Sequence, residues 1–391
     1  MSDRSLLPFH DWLVELRRDL HQHPELAFKE EKTAARIGDV LRQLGIPFQS
    51  GIACTGIVAA IDSERPGPTL ALRADMDALP LNEKTEVPYR SKIPGVMHAC
   101  GHDGHVTVAL GTARLLLERG WKDNGAGKVL LIFQPAEESG GGAQAMLQSG
   151  VLDGESVAAV FSGHMHPELP AGQIGLVAGV CNAASDSIKI TITGRGGHGA
   201  HPHLCNDPIV AGAMLVSQMQ TVISRSISPL DSAVITIGKF HAGTARNVIP
   251  EEAVLEGTVR TLDPEVRKTV AKRLEELVGG LETGQGVSCD YVWNSGYPLL
   301  VNDPALAQYV TRICNGFPGP DNVHMERPRM GAEDFAFFAR RWPGMLIRLG
   351  CRKPGTEFVH GLHSPWFDLD ETALDVGVRT FADLIEKYSE L

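Results

Sequence analysis

The sequence predicts an α/β fold: a mostly parallel sheet flanked by helices, with a smaller α+β domain inserted. Three observations carry that reading. The run Val129-Leu130-Leu131-Ile132-Phe133 is almost wholly apolar, as central strands of a parallel sheet are. Such runs alternate with helix-period segments, and each empties into residues with chemistry to offer. From about residue 185 the texture changes to period-two alternation, the mark of strands with one wet face. A chain of 391 residues is also too long for one ordinary core. The expected plan is a larger domain in two parts, 1–185 and 299–391, with the smaller domain, 186–298, between them.

In order, residues 7–46 carry helical spacing in Trp12, Leu13, Leu16, Leu20, Ala34, Ile37, Val40 and Leu41. Pro24 divides them into two helices. His21 and His23 at that junction are expected to pack or lie at the surface. Strands follow at 57–61 and 69–74, the second ending in Asp75-Met76-Asp77. Residues 78–97 form a loop, 106–118 an Ala/Leu-rich helix, and 129–133 the central strand. A short helix at 143–149 leads to a strand at 157–161, which delivers Gly163-His164-Met165-His166-Pro167. The inserted part reads as strands at 187–193, 233–237, 253–260 and 287–293 with helices at 208–222 and 264–278. Beyond it, 346–350 is a core strand and 370–388 an amphipathic helix.

Composition excludes several partners. Hydrophobic residues make up 43% and charged residues 21%, a normal soluble balance, and the formal net charge is −11. No long Lys/Arg run is present, which argues against nucleic acid. No 18-residue apolar stretch suggests a membrane span, and Met1 to Leu20 lacks a signal-peptide run. Seven scattered cysteines, an odd number, favour reduced thiols in a cytoplasmic protein.

The densest chemistry is His98-Ala99-Cys100-Gly101-His102-Asp103-Gly104-His105. Cys-x-His spacing can aim a sulfur and a ring nitrogen at one small ion, and the glycines permit the tight turn. Glu138, His164 and His363 end other predicted elements. Taken singly, a buried cysteine packs and a buried histidine is a satisfied polar group. Jointly, Cys100, His102, Glu138, His164 and His363 make five candidate ligands for manganese, zinc, cobalt or nickel. Five is one more than a closed tetrahedral site needs, which suggests two ions sharing a ligand, with Cys100 as the bridge. Glu137, adjacent to Glu138, reads either as a solvated acid or as the base that takes a proton from the attacking water. Asp75, Asp77 and Asp103 are candidate acceptors that orient the ligand imidazoles. In the smaller domain, His198 on a glycine-rich hairpin could reach a developing oxyanion. Arg260 could grip a carboxylate or form an ion pair, and Asn247 flanks the same predicted strand.

Together these segments resemble the dinuclear metal amidohydrolases: hippurate hydrolase, N-acyl amino acid amidohydrolases, N-acetyldiaminopimelate deacetylase and the plant auxin-conjugate hydrolases. Aminoacylases and glutamate-releasing carboxypeptidases are their relatives. The resemblance spans nearly the whole chain. It rests on Arg18-Asp19-Leu20-His21, His23-Pro24-Glu25, the run 72–80, His98 to His105, Gln134-Pro135-Ala136-Glu137-Glu138, Gly196-Gly197-His198, Asn247-Val248-Ile249-Pro250, Glu333-Asp334-Phe335 and His363-Ser364-Pro365. It implies a metallohydrolase catalytic domain with a lid or dimerisation domain. It implies that the five ligands hold two divalent ions and that Glu137 is the general base and acid. It gives His198 the role of steadying the tetrahedral intermediate, commonly across a dimer interface. Asn247 and Arg260 match substrate-carboxylate contacts, and Glu333 matches a supporting acid.

The chain departs from the family pattern at His166, which stands where an aromatic is usual and is expected to line or fill the acyl pocket. Arg246 precedes Asn247 where smaller residues are common. The expected activity is hydrolysis of N-acyl amino acids by a homodimer or higher homo-oligomer. The alternative is a dipeptidase or carboxypeptidase. A non-catalytic metal-binding protein is a third reading, against which the intact Glu137 and full ligand set argue.

Overall fold

The computed structural model describes residues 8–356 and 360–388. The expected helix start at residue 7 and the outer ends of the domain spans, 1–7 and 389–391, lie outside these. The fold is α/β, in two compact units. The larger comprises residues up to Cys181, Val301–Arg327 and Asp334 onward; the smaller comprises Asn182–Leu300 with Pro328–Glu333.

An eight-stranded sheet forms the larger unit. Its four middle strands, Lys128–Gln134, Thr69–Asp75, Val157–Pro170 and Gly344–Arg352, run parallel to one another. Lys128–Gln134, Thr69–Asp75 and Gly344–Arg352 are almost wholly buried, and Val157–Pro170 is mostly buried up to Pro167 and more open beyond it, which explains their apolar composition. Gly56–Asp62 and Phe48–Ile52 extend one side antiparallel, and Ile174–Leu176 and Val323–Met325 extend the other. The helix His102–Glu118 packs on the middle strands, and Phe9–Gln22 and Thr372–Glu386 pack on that helix. Their approach is close at Gly111, where a Cβ would lie 2.6 Å from both Leu13 and Val378. A helix enclosed in this way is apolar nearly all round, as the sequence from Val106 onward is.

In the smaller unit an antiparallel sheet runs Ala233–Ala242, Glu252–Thr261, Ala184–Thr193, Ser288–Ser295. Ile188, Ile190 and Ile192 alternate inward and share a core with residues of the helices Pro208–Thr221 and Pro264–Gln285. Both helices begin Asp-Pro. Asp207 and Asp263 accept backbone N–H bonds from the first turn, and the proline sits where its missing N–H costs nothing.

Several elements outrun expectation, Ala233–Ala242 among them, expected at 233–237; two show the reason. Pro264–Gln285 passes through Gly279-Gly280, because the buried stripe continues through Leu281 and the helix ends at Gly286, φ +63°. Val157–Pro170 runs far beyond 161, so His164 lies within the strand instead of past its end. On one side the ladder with Thr69–Asp75 stops at Ser162; on the other, pairing with Gly344–Arg352 carries the strand onward. That open side accommodates Pro167, which has no N–H to donate. Among the described residues no helix is long and apolar enough to cross a membrane. All seven cysteines are free.

The caps give a direct stability test. Asp263→Ala should cost about 1 kcal/mol, within a range of about 0.5–2 kcal/mol, read as a lower denaturant midpoint at unchanged slope.

Candidate metal centre

The parallel register sets Asp75 opposite Gln134, so the segments after both strands leave from one rim of the sheet. Cys100 and His102 arrive there on a turn made by Gly101, φ +85°. A Cβ at Gly101 would lie 2.9 Å from the Met165 side chain, so only glycine fits. Two further candidate segments hold left-handed backbone: Ala136 (φ +55°), just before the glutamate pair, and His363 (φ +64°) itself. Each is tied down. Ala136 N–H donates to the buried Glu30 carboxylate at 2.9 Å, and His363 N–H donates to the Ala99 carbonyl at 2.8 Å.

Asp77 aligns the glutamates. Its Oδ1 accepts the Glu137 N–H and its Oδ2 the Glu138 N–H, both at 3.0 Å. The two side chains then part. Glu138 Oε1 lies 3.0 Å from His363 Nε2 and 3.9 Å from His102 Nε2. Glu137 Oε1 accepts the Asp334 N–H at 3.3 Å.

Cys100, His102 and His164 bring one ligand atom each to within 4.8 Å of one another, and so do Cys100, Glu138 and His363. Cys100 belongs to both triads. His102 and Glu138 also cluster with Glu137. The His102 Nδ1 lies 2.9 Å from the Asp77 carbonyl, so Nδ1 carries the proton and Nε2 the lone pair. His164 does the same through the Met165 carbonyl at 2.8 Å, leaving Nε2 3.6 Å from Cys100 Sγ. Asp75, His102 and His105 form another close group. His105, however, pairs Nδ1 with Asp75 at 2.6 Å and accepts the Met165 N–H on Nε2 at 2.8 Å. Both of its nitrogens are engaged, so it has no lone pair to offer.

Burial and excess negative charge dominate the electrostatics. Burial pushes His105 and His164 down to about 4 and His98 down to about 3. Burial opposes charge on Asp75, yet Arg73, His102 and His105 hold it well below the usual carboxylate range. Burial likewise opposes charge on His102, but Asp75 and Cys100 raise it. Burial and the Glu138 charge raise the Cys100 thiol. His102 Nε2 is buried without a hydrogen-bond partner. A thiol, imidazole lone pairs and a carboxylate around that orphaned nitrogen fit a divalent cation, which would also favour the thiolate.

Other expected residues fall differently. Asp103 orients no candidate ligand: the helix turns its buried carboxylate away, to Arg17 Nε at 2.7 Å and His21 Nδ1 at 2.8 Å. Asp75 orients His105, which is not a candidate ligand. His166 joins none of the candidate clusters; its buried ring lies 3.7 Å from Glu168 and 3.8 Å from Glu326. Glu333 is buried and belongs to the smaller unit. His198, Asn247 and Arg260 are also in that unit. The short strand Gly197–His198 pairs with Val248–Ile249, which brings Asn247 beside the hairpin through its carbonyl bond to Gly199 N–H at 2.9 Å. Arg260 is half-buried in the central strand Glu252–Thr261.

Sequence reasoning missed Arg73, Gln134 and Asp334. Arg73 bonds Gln134, Asp75 and Asp334, each at 2.7 Å, and Gln134 also donates to Asp334. The available signal was a charged residue in an otherwise apolar strand, which requires buried partners.

The model of peptidase family M20/M25/M40 matches residues 71–387. The chain belongs to this family. Like this M20 chain, the N-acetylcysteine deacetylase of Bacillus subtilis spans the whole fold: it is 40% identical over 98% of both chains. Thermostable carboxypeptidase 2 of Saccharolobus solfataricus is 39% identical over 97% of this chain and 96% of its own. A solved Bacillus subtilis M20 structure, described as a dinuclear metal binding peptidase, superposes with a TM-score of 0.84 at 37% identity, covering 98% of this chain and 99% of that one.

The shifted imidazoles give a pH prediction for the metal-free protein. His98, His105 and His164 lie below the ordinary value, so the unfolded chain takes up protons that the folded chain refuses. Stability should fall as pH drops from about 6.5 towards about 4, by at most about 1.4 kcal/mol per pH unit and imidazole. His21 and His102 are raised, so their contribution is complete below the ordinary imidazole value and is lost as pH rises through their folded values. Denaturant midpoints at about pH 4.5, 6.5 and 8.5 should be highest in the middle. A midpoint that rises from 6.5 to 4.5 would contradict this.

Proposed function

We propose that this M20 protein hydrolyses the amide bond of N-acyl amino acids, releasing a carboxylic acid and a free amino acid. The observation that carries the proposal is the pair of donor triads sharing Cys100, with Glu137 beside them. Cys100, His102, Glu138, His164 and His363 would hold two divalent ions, drawn from manganese, zinc, cobalt or nickel. Bound ions supply Lewis acidity to the scissile carbonyl and lower the pKa of the attacking water.

Glu137 acts as base and then acid. Its backbone is fixed by Asp77, and the residue, 7% exposed, is largely screened from bulk water. It takes the proton of the attacking water and returns it to the departing nitrogen. Asp77 also fixes the His102 tautomer through its carbonyl. His198 accepts the Ala200 N–H on Nδ1 at 3.0 Å, so Nε2 keeps a proton with which to steady an oxyanion. Asn247 and Arg260 grip the substrate carboxylate. Burial lowers Arg260, an effect only partly offset by Asp186, so an anionic partner would be welcome. His166 lines the acyl side, Asp75 holds the layer behind the ligands, and Glu333 supports.

The smaller domain, 186–298 between catalytic parts 1–185 and 299–391, serves as lid and dimerisation domain. Its helix Pro208–Thr221 exposes Ile209, Val210 and Met214, and its edge strand Ala233–Ala242 exposes Val234 and Phe240. An apolar patch beside an open sheet edge suits a second copy, giving a homodimer or higher homo-oligomer. The protein acts in the cytoplasm on small molecules, without nucleic acid or membrane.

The carboxypeptidase relative supports a second reading, cleavage of short peptides from the same site. Parallel assays of N-acetyl and N-benzoyl amino acids against unblocked dipeptides decide between them, and blocked substrates should be preferred. Chelation should abolish turnover, and manganese, cobalt or zinc should restore it. Glu137→Gln should still bind metal but lose about 10²–10⁴-fold in rate. A variant within tenfold of wild type would remove Glu137 from the mechanism.

A further inference from the structure

Arg17 touches no candidate ligand, yet it bonds to two of the segments that carry them. Its side chain is fully buried. Nε donates to Asp103 Oδ2 at 2.7 Å, and Asp103 follows His102 in the first turn of its helix. Nη1 reaches Glu371 at 3.3 Å and Nη2 lies 3.5 Å from Asp368, both on the stretch that follows His363. Glu371 stands immediately before the helix Thr372–Glu386. The guanidinium stacks on Tyr89 at 4.9 Å, and the Tyr89 hydroxyl returns to Asp368 at 3.2 Å. His21, one turn on from Arg17, donates to the same Asp103 oxygen and faces Glu83 on its other side. One planar fork thus joins the Cys100–His102 side of the centre to the His363 side.

We infer that Arg17 is a positioning residue for the metal centre, setting the separation between the Cys100–His102 turn and the His363 segment by bonding both from behind. The inference rests on the reading of those residues as metal ligands. The fork matters beyond its charge. A guanidinium holds acceptors at fixed angles, whereas a lysine ammonium is a point charge on a flexible stem. Lysine at this position could neutralise the acids without fixing how far apart they sit. Asp103 does not cap its own helix; its Oδ2 instead takes the bonds of both Arg17 and His21.

The test compares Arg17→Lys with Arg119→Lys. Arg119 also joins two helices, through Asp383 and Glu386, but at the end of His102–Glu118 opposite His102. Zinc affinity is measured by competition with a chromophoric chelator, and the cobalt-loaded proteins are compared by thiolate-to-cobalt absorption. Melting of the metal-free proteins reports folding separately. Arg17→Lys should fold cooperatively, bind zinc about 10–100-fold more weakly and show an altered cobalt spectrum, while Arg119→Lys matches wild type. If Arg17→Lys does not fold, Glu371→Gln carries the test with Arg18→Gln as its control, since Glu371 also accepts two bonds from Arg18; the Glu371 variant should weaken zinc binding in the same direction and the Arg18 control should not. Folded variants with wild-type zinc affinity and cobalt spectrum would overturn the inference. A wild-type protein that binds no metal would instead overturn the ligand reading beneath it.

Discussion

The parallel ladder between Thr69–Asp75 and Lys128–Gln134 is the constraint on which the centre depends. Parallel strands finish at a common rim, so the residues that follow them start from nearly the same place. Asp77, two residues past one strand, is then close enough to bond the backbone of Glu137 and Glu138, three and four past the other. A single carboxylate spends both oxygens on main-chain donors, and the two glutamate side chains are thereby free to diverge. A register slip of one residue would move Asp75 off Gln134 and disrupt this alignment together with the Arg73 bonds behind it.

Behind that rim lies a layer of buried charge that must be compensated internally. Arg73 is enclosed with Asp75, Gln134 and Asp334, and Arg17 with Asp103, Asp368 and Glu371. Removing one partner from such a set leaves a charge in low dielectric, typically worth about 3–5 kcal/mol. Their shared property is that each arginine joins segments far apart in sequence: Arg73 reaches Asp334, and Arg17 reaches Glu371. Apolar packing could bury the same volume, but it would not set angles between specific donors.

How much of this could be read from the chain depends on the range of the interaction. Local patterns were legible. The apolar run at 129–133 gave a central strand, period-two alternation marked the smaller unit's sheet, and the Cys-Gly-His turn gave the first two ligand candidates. Boundaries failed where tertiary support overrides a local breaker, as at Gly279-Gly280 and around Pro167. Asp103 failed for a different reason. Its neighbour in sequence is a ligand candidate, but successive residues on a helix point about 100° apart, and its side chain faces Arg17. The Arg73–Asp334 pair spans most of the chain, and nothing local in either residue announces the other.

The histidines show why proximity alone does not make a ligand. His102 and His105 are buried, His164 is partly so, and their rings lie near one another. Residue type and spacing treat them alike. The hydrogen-bond partners separate them. His102 and His164 each give Nδ1–H to a backbone carbonyl, which leaves the Nε2 lone pair for an ion. His105 gives Nδ1–H to Asp75 and fills the Nε2 lone pair with the Met165 N–H. That second bond falls one residue from His164, so His105 braces the strand that carries a ligand candidate and is itself chemically saturated. A third free lone pair at this position would enlarge the candidate donor set; its occupation by a main-chain donor leaves His102, His164 and His363 as the candidate imidazoles.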